Sequence, residues 1–194
     1  MTILVTGAAG FIGSNFVLNW LDSEDESVVS LDNLTYAGNL DNLSSLSKNT
    51  RHFFVKGCIG DSDLVSSVLK KYKPRVIINF AAESHVDRSI SEPGDFIDTN
   101  IIGTYKLLQS TLLYWELLAE KQKQDFRFVH ISTDEVYGDL DIKAHPFTEE
   151  NRYIPNSPYS ASKAASDHLV RAWHQTYKLP VITTNCSNNY GSFQ

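Results

Sequence analysis

Thr2-Ile3-Leu4-Val5-Thr6-Gly7-Ala8-Ala9-Gly10-Phe11-Ile12-Gly13 decides how the rest of the chain is read. Thr2 to Val5 has the apolar, β-branched character of a short buried strand. Glycines then recur at every third position, and an apolar run over 16–21 continues as a helix. Lacking side chains, Gly7 and Gly10 let the backbone turn tightly and let a diphosphate reach the free N–H groups at the helix start. Gly13 lets that helix lie close to the strand. The spacing is not G-x-G-x-x-G, so its meaning comes from its place directly after a strand and at the opening of a helix.

Working outward, residues 27–31 form a second apolar strand that delivers Asp32 at its tip. An acidic side chain about twenty positions past a glycine loop is placed to accept hydrogen bonds from an adenosine ribose. Its charge repels a ribose 2′-phosphate, which favours NAD over NADP. A polar, turn-rich loop with one short helical piece follows over 33–47. Residues 52–56 and 76–80 read as further strands, and 62–72 as a helix whose buried stripe is Leu64, Val65, Val68 and Leu69. A long helix is expected over 98–119, a charged exposed turn over 120–125, and a strand over 128–132. A polar loop over 138–158 precedes a helix over 159–177 and a last strand over 181–184. Strands alternating with helices predict an α/β fold, a doubly wound parallel sheet of the Rossmann-like kind.

Composition narrows the class. The chain has 194 residues, 42% of them hydrophobic and 21% charged, with a formal net charge of -6. An acidic balance argues against a nucleic-acid partner, which needs a basic stripe. No apolar run is long enough to span a membrane. Cys58 and Cys186 are far apart and follow no disulfide pattern, as expected of reduced thiols in a cytoplasmic protein. No metal is expected, because His85 has no clustered partner at ligand spacing.

The chemistry is expected at the ends of the later strands. Tyr159 and Lys163 lie four apart on a helix and share a face. A phenol is a weak base at neutral pH, and a nearby ammonium together with a positive nicotinamide would stabilise its phenolate. Tyr159 would then take a hydroxyl proton as hydride leaves the same carbon, with Lys163 also holding the nicotinamide ribose. Thr133, at a strand tip, supplies a hydroxyl to orient the substrate oxygen. Asp134 and Glu135 follow at once, and adjacent carboxylates repel unless their protonation is split. A protonated Asp134 would serve a leaving hydroxyl, and an ionised Glu135 a C–H acidified by a neighbouring ketone.

Six stretches together resemble the dTDP-glucose 4,6-dehydratases of the extended short-chain dehydrogenase/reductase family. They are Thr6 to Asn15, Leu31 to Asn39, Asn79 to Ser89, Ile131 to Gly138, Tyr159 to Lys163, and Ser187 to Gly191. The resemblance implies NAD as a tightly bound cofactor and dTDP-glucose as substrate. Oxidation at C4, elimination across C5 and C6 by Glu135 and Asp134, and reduction at C6 would give the 4-keto-6-deoxy sugar. It assigns the cofactor to Gly7, Gly10, Phe11, Ile12, Gly13, Asp32, Ala81, Thr99, Tyr159, Lys163, Cys186 and Asn189. It assigns the sugar or its phosphates to Ser84, Thr133 and Asn188, beside Asp134 and Glu135.

Two positions depart from the family pattern. Cys58, in Gly57-Cys58-Ile59, stands where an aspartate usually meets the adenine amino group, and Ser192 stands where a proline is usual. The resemblance also implies that 1–194 is the NAD-binding domain, with the C-terminal substrate domain missing and turnover impaired. The apolar positions over 98–119 suit a helix-pair contact in a homodimer as well as packing on the sheet. Two other readings stay open: a nucleotide-sugar epimerase or decarboxylase, and a non-catalytic dinucleotide-binding or dimerisation module.

Overall fold

In a computed structural model, which describes residues 1–141 and 145–194, strand β1 (Thr2–Thr6) lies at the centre of the sheet. It is flanked by β2 (Ser27–Asp32) on one side and β4 (Val76–Asn79) on the other. β3 (His52–Lys56), β5 (Arg127–Thr133) and β6 (Val181–Cys186) complete six parallel strands in the order β3-β2-β1-β4-β5-β6. That order reverses direction between β1 and β4. In open α/β sheets this is where a crevice opens at the carboxyl ends of the strands.

Helices cover both faces, which is why β1, β2 and β4 are almost wholly buried and read as continuous apolar runs. One apolar layer gathers Leu4, Val29, Ile77 and Phe128 with Leu107 and Leu108 of α5 (Thr104–Glu116) and Val170 of α7 (Pro158–Tyr177). α2 (Ser62–Tyr72) joins that layer through Val65, Val68 and Leu69. The opposite layer packs Ile3, Val5, Val28 and Ile78 against Val17 and Leu21 of α1 (Phe11–Ser23).

Two local elements differ from the sequence expectation. Residues 120–125 are not a turn but the short helix α6 (Glu120–Asp125), which buries none of its residues. A helix that is polar all round offers no periodicity to read. The helix expected over 98–119 is a wide-turn π segment (Ile97–Gly103) running into α5, preceded by α3 (Val86–Ser91) and α4 (Pro93–Phe96). Asp134–Tyr137 form one tight 3-10 turn directly after β5. The loop over 138–158 is irregular where described; its residues 142–144 lie outside the described residues.

Candidate active site

The glycine loop closes against the β4 tip. Gly7 adopts φ 64, and a Cβ on it would sit 2.6 Å from the Ala81 nitrogen. A Cβ on Gly13 would stand 2.1 Å from the Gly7 oxygen, so only glycine allows α1 this approach. Gly10 is different: its Cβ would come no closer than 3.4 Å to the protein, although the residue faces the cleft. Its missing side chain therefore keeps the cleft open rather than relieving a clash. No side chain caps α1, so the N–H groups of Phe11, Ile12 and Gly13 are free at its positive end. That cradle suits a diphosphate.

Asp32 anchors the loop as well as facing the cleft. Its Oδ2 accepts from the Ala9 N–H and its Oδ1 from the Leu34 N–H, both at 2.8 Å. A carboxylate offers about four acceptor directions, so two remain for a ligand hydroxyl. Cys58 also lines the cleft, and its Sγ accepts the Gly60 N–H at 3.3 Å. A cleft of about 650 Å³ runs from this loop to the tips of β5 and β6. Gly7, Gly10, Phe11, Ile12, Gly13, Asp32, Ala81 and Thr99 line it, as do Ser84, Thr133, Glu135, Tyr159, Lys163, Cys186, Asn188 and Asn189. Asp134 is not among the lining residues.

α7 positions the Tyr–Lys pair. Ser157 caps it by accepting the Ser160 N–H, Pro158 occupies its first turn, and both Tyr159 and Lys163 are buried. Burial pushes the Tyr159 phenol up to about 12, the Glu135 charge adds to this, and the Thr133 hydroxyl works against it. The Lys163 ammonium donates to the Ile131 oxygen at 2.8 Å, and burial lowers it to about 8. The expected lowering of Tyr159 by Lys163 is therefore not produced by the protein alone. Desolvation is the largest influence on Tyr159 and raises it, so the phenol needs a further cation in the cleft.

Burial, and after it the Asp134 charge, raises Glu135 above the usual carboxylate range. Thr133 serves as the cap of the 3-10 turn by accepting the Glu135 N–H at 3.2 Å, and this aims Glu135 into the cleft.

Sequence reasoning missed the groups that hold this frame. The Asn100 side chain, in the π segment, accepts the Glu83 N–H and donates to the Glu83 oxygen and to Ser162 Oγ. It thus ties the β4 tip to the helix turn between Tyr159 and Lys163. Its neighbours Asp98 and Thr99 are polar too, so nothing in the sequence singles it out. Behind the cleft, Thr6 donates to Asn79, Asn79 meets His130 Nδ1 at 3.2 Å, and His130 Nε2 meets Ser166 at 3.2 Å. Among the described residues, no cluster of His, Cys, Asp and Glu has metal-site geometry.

A family profile described as GDP-mannose 4,6 dehydratase matches residues 4–194. A dTDP-glucose 4,6-dehydratase of Xanthomonas campestris pv. campestris (strain B100) is 60% identical over 192 residues, covering 99% of this chain and 54% of its own length. That of Salmonella typhimurium (strain LT2) is 53% identical, covering 100% of this chain and 56% of its own. A dTDP-glucose 4,6-dehydratase of Streptomyces venezuelae, solved with NAD bound, superposes with a TM-score of 0.89 at 46% identity. It covers 100% of this chain and 58% of that one. A UDP-glucose 4-epimerase of Thermotoga maritima, solved with UDP-glucose, superposes with a TM-score of 0.84 at 30% identity, over 98% and 57% of the two chains. The chain spans about half the length of the curated relatives it matches. The glycine loop, the strand order and the profile match agree: the chain belongs to the GDP-mannose 4,6 dehydratase family, and its sequence is similar to the dTDP-glucose 4,6-dehydratases within it.

Proposed function

We propose that the chain is the NAD-binding domain of a dTDP-glucose 4,6-dehydratase and carries that enzyme's redox and elimination residues. One observation carries the reading: Thr133, Glu135, Tyr159 and Lys163 line the same cleft as the free helix start at Phe11–Gly13. When bound, NAD+ supplies the acceptor, and later the donor, of a hydride. Phe11, Ile12 and Gly13 offer their N–H groups to its diphosphate, and Asp32 offers its spare lone pairs to a ribose.

The remaining steps belong to the chain's own side chains. Tyr159 takes the proton of the C4 hydroxyl, which Thr133 orients. The ketone so formed acidifies the C5 proton, and Glu135 removes it. Its raised pKa brings it nearer neutrality, which suits a general base. Asp134, on the same tight turn as Glu135 though outside the cleft lining, is assigned the protonation of the departing C6 hydroxyl. Lys163 provides a buried cation beside the nicotinamide ribose. Binding energy from the nucleotide end of the sugar organises such a sequence.

Pairing of two copies through α5 is part of the same reading. Leu113 of α5 and Leu117, just past its end, are 53% and 88% exposed, an apolar pair suited to the same pair on a second copy. Cytoplasmic residence fits the two free cysteines, Cys58 and Cys186. No described helix is long and apolar enough to cross a membrane.

Calorimetric titration with NAD+ and NADP+, followed by product analysis with dTDP-glucose and UDP-glucose, tests the reading. Binding of NAD+ in preference to NADP+ and a 4-keto-6-deoxy product from dTDP-glucose are expected. An epimerised sugar, or no affinity for NAD+, would overturn it.

A further inference from the structure

Asp167 lies one helical turn beyond Lys163 on α7, and both are buried, at 5% and 4% exposure. No role in the reaction described above uses it. Its Oδ2 accepts hydrogen bonds from Ser132 Oγ at 2.7 Å and from Tyr153 Oη at 3.0 Å. Among the described residues its Oδ1 has no hydrogen-bond partner, and His130 Nε2 stands 3.4 Å from it.

The surrounding bonds fix what each group presents. Thr6 donates to Asn79 Oδ1, which leaves the Asn79 amide nitrogen to donate to His130 Nδ1. The proton of His130 is then on Nε2 and faces Ser166 and Asp167. Ser166 Oγ spends its own proton on the Lys163 oxygen. Asp167 thus receives donors from β5 and from the 138–158 loop on one oxygen, with the His130 N–H facing the other. Two hydroxyls donating to one oxygen, with an N–H facing the other, suit a carboxylate, which only accepts.

Lys163 has the complementary need. Among the described residues its one hydrogen bond goes to a neutral main-chain oxygen, and a buried ammonium is costly without an opposite charge nearby. We propose that Asp167 is a positioning residue, an ionised carboxylate under the cleft that keeps the Lys163 ammonium charged. Through Ser132 and Tyr153 it also holds β5 and the 138–158 loop on either side of Thr133. Asn185 extends the same brace, donating to the Thr133 oxygen at 3.2 Å and to Tyr153 Oη at 3.4 Å. The role rests on the reading of Lys163 as a cation serving a bound dinucleotide.

The groups facing this pair come from every neighbouring element. They are His130 on β5, Cys186 on β6, Tyr137 on the 3-10 turn, Tyr153 on the loop, and Tyr159 on α7 itself. Of these, burial lowers His130 to about 4, so it adds no positive charge at neutral pH. Burial raises Tyr137 and Tyr153, so neither phenol adds negative charge. Asp167 opposes the desolvation that lowers Lys163.

The test follows the Lys163 side chain directly. The full chain is isotope-labelled at its lysine side-chain nitrogens and titrated by NMR, with Lys163→Arg to assign the signal. The wild-type signal is expected to titrate near pH 8. In Asp167→Asn the midpoint is expected to fall by about 1–3 pH units. A double variant, Ser132→Ala with Tyr153→Phe, removes donors and keeps the charge, and its midpoint is expected to stay in place. An unchanged midpoint in Asp167→Asn overturns the proposal. Should that variant not fold, Asp167→Glu is expected to keep the wild-type midpoint, and a fall in it overturns the proposal. So does a wild-type Lys163 that is already uncharged at neutral pH. NAD+ titration of the same samples separates the two readings, because a wild type that shows the Lys163 shift pattern without binding NAD+ sinks the proposed function and leaves Asp167's role standing.

Discussion

The Lys163 ammonium donates to the main-chain oxygen of Ile131 at 2.8 Å, so the cation is held by the β5 tip and not by the phenol of Tyr159. The charge is therefore built into the floor of the cleft before any ligand arrives. Its burial lowers Lys163 from 10.5 to about 8, an opposition to folding of about 3 kcal/mol at neutral pH.

That opposition has a sign that can be checked. Between pH 8 and 10.5 the native chain has released the Lys163 proton and the unfolded chain still holds it, so this group makes stability rise with pH. Lys163→Met should lack that rise while losing NAD+ affinity. Urea unfolding of both proteins across this range checks it. Parallel slopes would show that Lys163 is not a buried cation.

His130 predicts the opposite end of the scale. Burial lowers it from 6.5 to about 4, so between those values the unfolded chain binds the extra proton. Stability is lost as pH falls through this window, by about 3 kcal/mol from this residue. His130→Gln keeps a polar side chain and removes the titration. Its denaturant midpoint should move less than the wild type's between neutral pH and pH 4.

The fold was legible because its information is local. A strand covered on both faces must be an apolar run, as at Val76–Asn79, and the glycine loop needs only its neighbours to be understood. The cleft residues were legible for a related reason, since parallel strands put all their carboxyl ends at one edge. Asn100 was not, because its three partners are Glu83, Glu83 and Ser162, the last 62 positions away. Nor does a pattern of period 3.6 survive the π segment, which shifts the phase of every residue after it. The raising of Glu135 depends on burial, which no spacing reveals.

Asn100 makes a third prediction. Asn100→Ala leaves the Glu83 N–H and C=O and the Ser162 hydroxyl without this partner. Stranding buried polar groups should cost about 2–4 kcal/mol in unfolding free energy. Because the bonds join the β4 tip to α7, NAD+ affinity should fall with stability. Calorimetry at a temperature where the variant is still folded separates the two effects.

Cys58 gives the last prediction, because it concerns a position where this chain departs from the pattern it otherwise follows. Its Sγ accepts the Gly60 N–H at 3.3 Å, and the side chain lines the cleft near Asp32. A carboxylate in its place keeps that turn, since an aspartate can accept an N–H two residues ahead. It also adds a strong acceptor where sulfur offers a weak one. Cys58→Asp should therefore tighten NAD+ binding by about 1–2 kcal/mol, or roughly 5- to 30-fold. An inosine analogue, whose base has an oxygen in place of the adenine amino group, should gain nothing from the substitution. Equal gains for both ligands would mean that residue 58 does not face the amino group. No gain for either would mean that the base binds elsewhere in the cleft.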